Sequence, residues 1–123
     1  MDISYKYKGE QWVQHCKMID DSDLSIMNYD ECSQIVISIY NYDTGKIVQD
    51  YVKVNDSKYP TSPLLVKSID PEFEIQFLVT KELTESIAPG EYYAEAKAVI
   101  SGDEMPITKE PTYFFTLRPS KTK

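Results

Sequence analysis

Gln34-Ile35-Val36-Ile37-Ser38-Ile39-Tyr40-Asn41-Tyr42-Asp43-Thr44-Gly45-Lys46-Ile47-Val48-Gln49-Asp50-Tyr51-Val52-Lys53-Val54 is the stretch from which the fold class is read. Ile35, Ile37 and Ile39 fall on one side of an extended chain, with Val36, Ser38 and Tyr40 on the other. Asn41 to Lys46 is turn chemistry, with Gly45 free to take a positive φ. Beyond it Val48, Asp50, Val52 and Val54 alternate with Ile47, Gln49 and Tyr51. The reading is a β-hairpin from Gln34 to Val54 whose first arm is central in a sheet.

The same period of two runs outward in both directions. Toward the amino end, Ile3, Tyr5 and Tyr7 alternate with Asp2, Ser4, Lys6 and Lys8, Gly9-Glu10 breaks the strand, and Trp12, Gln14, Cys16 and Met18 share a face opposite Val13, His15, Lys17 and Ile19. Trp12 is expected to anchor the buried end of that second strand. Leu24 to Met27 is a short apolar piece between two acidic loops. Toward the carboxyl end, Asn55 to Pro63 reads as a solvent-exposed loop, Leu64 to Lys67 as an edge strand, and Phe73, Ile75, Phe77 and Val79 as a second core strand. Lys81 to Ile87 carries the one helical signal, with Thr80 or Thr84 as N-cap. Tyr92, Ala94, Ala96 and Ala98 then form one strand face, small enough that something bulky must pack across it. Ser101 to Glu104 turns the chain back, and Tyr113, Phe115 and Leu117, opposite Phe114, Thr116 and Arg118, finish the sheet. The expectation is an all-β antiparallel two-sheet sandwich of the immunoglobulin type, with seven to eight strands and one helical turn near 81–87. It forms one domain over residues 1–118, followed by a basic tail, 119–123.

Composition narrows the function. The 123 residues carry a formal charge of −7, so a phosphate backbone would be repelled and no nucleic-acid partner is expected. No aliphatic run approaches the ~20 residues of a transmembrane helix, and the amino terminus has no basic-then-apolar leader, so no membrane partner and no export are expected. Cys16 and Cys32 are expected as packed free thiols. His15 is the only histidine, and on a strand it projects away from Cys16, so neither a zinc site nor a Cys-His nucleophile is expected.

Asp20, Asp21, Asp23, Asp30 and Glu31 are a candidate calcium loop lacking the regular ligand spacing and central glycine, and a solvated acidic loop is the expectation. No phosphate-cradling glycine loop, nucleophile elbow or paired-carboxylate motif is present, so the chain is read as a non-enzyme with no cofactor. Asn55-Asp56-Ser57 matches a glycosylation sequon that only export would make meaningful. Ten tyrosines are the compositional outlier, and those in or near loops are the candidate contacts: Tyr40, Tyr42, Tyr51 and Tyr59, with Tyr29 beside them and Arg118 of the basic end.

Leu83-Thr84-Glu85-Ser86-Ile87-Ala88-Pro89-Gly90-Glu91-Tyr92 resembles the Thr-x-x-Leu-x-Pro-Gly-x-Tyr connection that enters the penultimate strand of immunoglobulin-like and fibronectin-like sandwiches. With Gly9-Glu10-Gln11-Trp12, Tyr40 to Gly45 and Phe73-Glu74-Ile75 in that order, residues 9 to 118 resemble small immunoglobulin-like virion proteins of tailed bacteriophages. They are similar to the amino-terminal domain of baseplate upper proteins and to capsid auxiliary or decoration proteins. The resemblance gives Trp12, Gly90 and Tyr92 a structural role. It implies a virion protein, assembled in the host cytoplasm, whose partners are a major capsid protein or fibre and tail proteins, with homo-oligomers within the assembly. Baseplate upper proteins continue into a long carboxyl region where this chain stops, which favours a stand-alone decoration subunit over a baseplate or head-fibre adaptor. A carbohydrate- or cell-surface-binding sandwich module is the alternative drawn from the loop tyrosines.

Overall fold

The computed structural model describes residues 5–17, 28–100, 103–106 and 112–119. The acidic cluster at 20–23, the apolar piece at 24–27 and the tail beyond Pro119 lie outside them. The strands are β1 (Tyr5–Tyr7), β2 (Trp12–Cys16), β3 (Gln34–Asn41), β4 (Ile47–Val52), β5 (Val66–Lys67), β6 (Ile75–Val79), β7 (Gly90–Ile100), β8 (Asp103–Pro106) and β9 (Thr112–Arg118), with the helix α1 (Lys81–Ser86) before β7 and a 3-10 turn at Tyr29–Glu31. They form two sheets. One runs β1-β9-β7-β3-β4, with β8 also paired to β7, and the other runs β2-β6-β5. The chain is therefore all-β and two-layered, as the period of two requires.

The core is built on β3. Ile35, Ile37 and Ile39 are fully buried, and β7 sets Ala98, Ala96 and Ala94 directly opposite them. Those alanines leave room for rings from the facing sheet and the far strands. Phe77 of β6 lies 4.4 Å from Tyr51, and Phe115 stacks on Tyr92 at 5.1 Å. Trp12 of β2 meets Phe115 of β9 edge-on at 5.4 Å, so it bridges the two sheets at their β1/β2 side.

Two bulges change faces that strict alternation had assigned. Between β7 and β9 the partner of Tyr92 is Phe115 but that of Tyr93 is Tyr113, which leaves Phe114 as the extra residue. Phe114 then turns toward the core and stacks on Phe77 at 6.1 Å, a correction to its expected outward face. The same happens at Val48, skipped between Ile39↔Gln49 and Tyr40↔Ile47 and packed against the core.

The strands differ from expectation in count and direction. Among the described residues there are nine, and β1 pairs with β9 in parallel, so the sheet is not wholly antiparallel. The chain from Pro63 to Lys67 crosses between layers: Val52 N–H donates to the Pro63 carbonyl, Leu65 N–H donates to the Val52 carbonyl, and Val66–Lys67 then pairs with β6.

Three polar devices hold the connections. Thr80 is the N-cap of α1, its side chain accepting from Leu83 N–H at 3.1 Å. Thr84, fully buried, accepts from Gly9 N–H at 3.0 Å and donates to the Glu10 carbonyl at 2.9 Å, pinning the β1–β2 turn to the helix. The Tyr92 hydroxyl donates to the Ala88 carbonyl at 2.5 Å, four residues upstream, and the Asn41 side chain hydrogen-bonds to the same hydroxyl. Asn41 also accepts from Asp43 and Thr44 N–H, so the β3–β4 turn and the entrance to β7 share one network. Gly90, at φ +150°, takes a conformation that L side chains rarely adopt, and it lets the chain swing from Pro89 into β7.

Thr84→Val removes the partner of the half-buried Gly9 N–H and should destabilise the protein by about 1–2 kcal/mol in urea unfolding, with Thr84→Ser recovering most of it. Tyr92→Phe should cost about 1 kcal/mol in the same measurement while leaving the ring packing intact.

Candidate functional site

On the outward side of the five-strand path, Val36, Ser38 and Tyr40 face away from the isoleucine row. Even so, Val36 and Ser38 are buried, at 3% and 9% exposure. The cover is the chain after β4, which folds back over this face while most of its own residues from Asn55 to Pro63 stay exposed, as expected of a solvent loop. A cleft of about 470 Å³ remains between them, lined by Ser38 and Tyr40 of β3, Ile47 and Asp50 of β4, Glu95 and Lys97 of β7, and Lys58 and Tyr59 of the covering loop. That volume lies within the range of small-molecule pockets.

The loop is held by side chains. Gln34 accepts from Val54 N–H at 3.0 Å and donates to the Val54 carbonyl and to Asp56. Asp56 accepts from the N–H groups of Lys58 and Tyr59, both at 2.9 Å, and Asn55 donates to the carbonyls of Tyr59 and Ser62. Tyr59 is thus placed over the sheet by a tight Asx-type turn that exists before any ligand arrives.

Across the floor, Ser38 stands opposite Asp50 on one side and Glu95 on the other, a carboxylate–hydroxyl–carboxylate row over three strands. Ser38 Oγ donates to Asp50 Oδ1 at 2.5 Å. Burial, and then the charge of Glu95 and a hydrogen bond to it, hold the Tyr40 phenol protonated above its ordinary range. The Tyr40 ring is backed by Tyr93, stacked at 5.0 Å and 7° between planes.

The expected contact residues are dispersed by this geometry. Tyr40 and Tyr59 come together in the cleft. Tyr42, 61% exposed, sits edge-on to Tyr93 at 6.1 Å, beside the cleft but not lining it. Tyr51 is corrected: at 2% exposure it is a core residue, because β4 register sets it against Ile37, and it cannot touch a partner. Arg118 lies on β9, away from the cleft, with its guanidinium 4.1 Å over the Tyr5 ring. Tyr29 receives Lys53 over its ring at 4.3 Å, and the same ammonium closes the 3-10 turn by donating to the Tyr29 and Cys32 carbonyls. Ser38, Asp50, Lys58, Glu95 and Lys97 were not singled out from sequence. For Ser38, Asp50, Glu95 and Lys97 the signal is polarity at the outward positions of strands whose inward positions are apolar, whereas Lys58 lies in the loop and carries no such signal.

Cys16 and Cys32 are free thiols, and burial pushes the Cys16 thiol up to about 12, far from a reactive thiolate at neutral pH. His15 Nδ1 lies 2.8 Å from Ser68 Oγ, a pairing across 53 positions that sequence spacing could not show. Ser68 Oγ also accepts from Asp70 N–H, so the hydroxyl ties β2 to the turn before β6. Among the described residues no cluster of three or more His, Cys, Asp or Glu could hold a metal ion, and no helix is long and apolar enough to cross a membrane. A scan against protein-family models found no match, and a search of curated proteins found none either.

Hydrogen bonds from Tyr59 N–H and then Gln34 hold the Asp56 carboxyl below its ordinary 3.8. A depressed carboxyl stabilises the loop above the ordinary value and loses that contribution as pH falls through the folded one. Amide NMR of Lys58 and Tyr59 should therefore titrate with a midpoint below 3.8, and Asp56→Ala should abolish that titration.

Proposed function

We propose that this chain is a non-enzymatic, immunoglobulin-like structural component of a tailed-phage virion, an auxiliary or decoration protein on the capsid surface that works by protein-protein contact. The observation that carries the fold half of this reading is the Tyr92 hydroxyl donating to the Ala88 carbonyl at the entrance to β7. Immunoglobulin-like sandwiches use such a tyrosine corner where the chain crosses from one sheet into the penultimate strand of the other. The β2-β6-β5 sheet facing a path in which β9, β7, β3 and β4 are neighbours also supports that reading. Two marks of antibody domains are missing from it: Trp12 lies on β2, not on the central β3, and Cys16 and Cys32 form no inter-sheet bridge.

The virion half rests on the order of motifs from Gly9 to Arg118 in the sequence. A small rigid sandwich suits that role, because in a symmetric shell many weak copies of one contact add up to stable decoration. The partners in this reading are the major capsid protein or fibre and tail proteins, with assembly in the host cytoplasm.

Particles assembled with and without the chain should differ by its presence in a fixed ratio to the major capsid protein, read by mass spectrometry of purified particles. Its absence from purified particles, together with failure of the added protein to co-sediment with them, overturns the proposal.

A further inference from the structure

We infer that the cleft between the covering loop and the outward face of β3, β4 and β7 is a saccharide-binding site that takes one or two rings of a neutral glycan, N-acetylated sugars included. The inference does not depend on the virion assignment. Asp50 and Glu95 supply two carboxylates, Lys58 and Lys97 supply two ammonium groups, and the lining therefore sums to zero in a chain whose formal charge is −7. A phosphate or nucleotide would meet the carboxylates, and a cationic peptide would meet the lysines. Hydroxyl groups both donate and accept, so a polyol satisfies the two kinds of group at once.

The remaining lining fits the apolar side of a sugar ring. Tyr40 and Tyr59 bring aromatic surface to a cleft that Val36, Ile47 and Ala96 also line with aliphatic groups, and an aromatic ring covers the C–H face of a pyranose while leaving its hydroxyls to the carboxylates. Both tyrosines are already positioned. Tyr93 backs the ring of Tyr40, and the Asp56 turn, braced by Gln34, places Tyr59. Ordering that would otherwise oppose binding has been completed in folding. Ser38 and the Tyr40 hydroxyl add neutral polar groups at the floor, between the two carboxylates.

The test begins with the intact chain on a glycan array spanning neutral hexoses and N-acetylhexosamines. The isotope-labelled protein is then titrated with maltose, cellobiose, lactose and N,N′-diacetylchitobiose. At least one sugar should move the amides of Lys58, Tyr59 and Lys97 saturably. Tyr59→Ala should weaken that binding roughly tenfold or more, the loss expected of one well-packed aromatic contact. Glu95→Gln should weaken it as well, and Val13→Ser, on the outer face of the other sheet, should leave it unchanged. Peak dispersion of each variant reports that it is folded. No array signal and no movement of these amides by any of the four sugars overturns the inference, as does binding that survives Tyr59→Ala. Inorganic phosphate or a lysine-rich peptide moving these amides where no sugar does overturns it too. Any of these outcomes leaves the particle-composition test of the virion reading standing.

Discussion

Burial of the β3 isoleucine row is the constraint on which the other elements depend. Ile35, Ile37 and Ile39 are almost completely removed from water, and each stabilises the fold by about 1.5–3 kcal/mol relative to exposure. Their row fixes the register of both neighbours, because a slip of one residue on β4 or β7 would bring Asp50 or Glu95 into the core. The alanines of β7 follow from the same constraint. With small side chains beside the isoleucines, the space above them goes to Tyr51, Phe77, Tyr92 and Phe115, and these rings join the two sheets.

The aromatic cluster explains the irregularities. A strand of strict period two cannot send two adjacent residues inward, yet Phe114 and Phe115 both pack against the core. The bulge opposite Tyr92 and Tyr93 makes this possible at the loss of one step of ladder pairing. The buried Thr84 and the Tyr92 hydroxyl act at the two chain crossings nearest this cluster. Each satisfies backbone groups that a turn against the core would otherwise leave unmet.

The cleft is a consequence of the same sheet seen from its other face. Once the isoleucines turn inward, Val36, Ser38 and Tyr40 must turn outward, and Val36 is too apolar to leave in water without cost. The covering loop buries it and leaves an opening where the polar side chains of β4 and β7 stand. The binding surface thus arises from the alternation that builds the core, and its two carboxylates sit in register with one serine because three strands share that register.

Local chemistry determined much of this protein. The period of two on β2, β3, β6 and β7, the Thr80 cap before a two-turn helix, the Asn41–Gly45 turn and the corner at Tyr92 depend on residues close in sequence, and all were legible there. Tertiary structure decided what depends on distant partners: the parallel docking of β1 on β9, the inward turn of Phe114 and Val48, the burial of Tyr51, and the meeting of His15 with Ser68. The cleft belongs to this second group. Pro60 and Pro63 mark a loop, but nothing local shows that it folds back, since the Gln34 amide that holds it lies 20 positions upstream of Val54. Periodicity reports which way a side chain points, and only packing decides what stands opposite it.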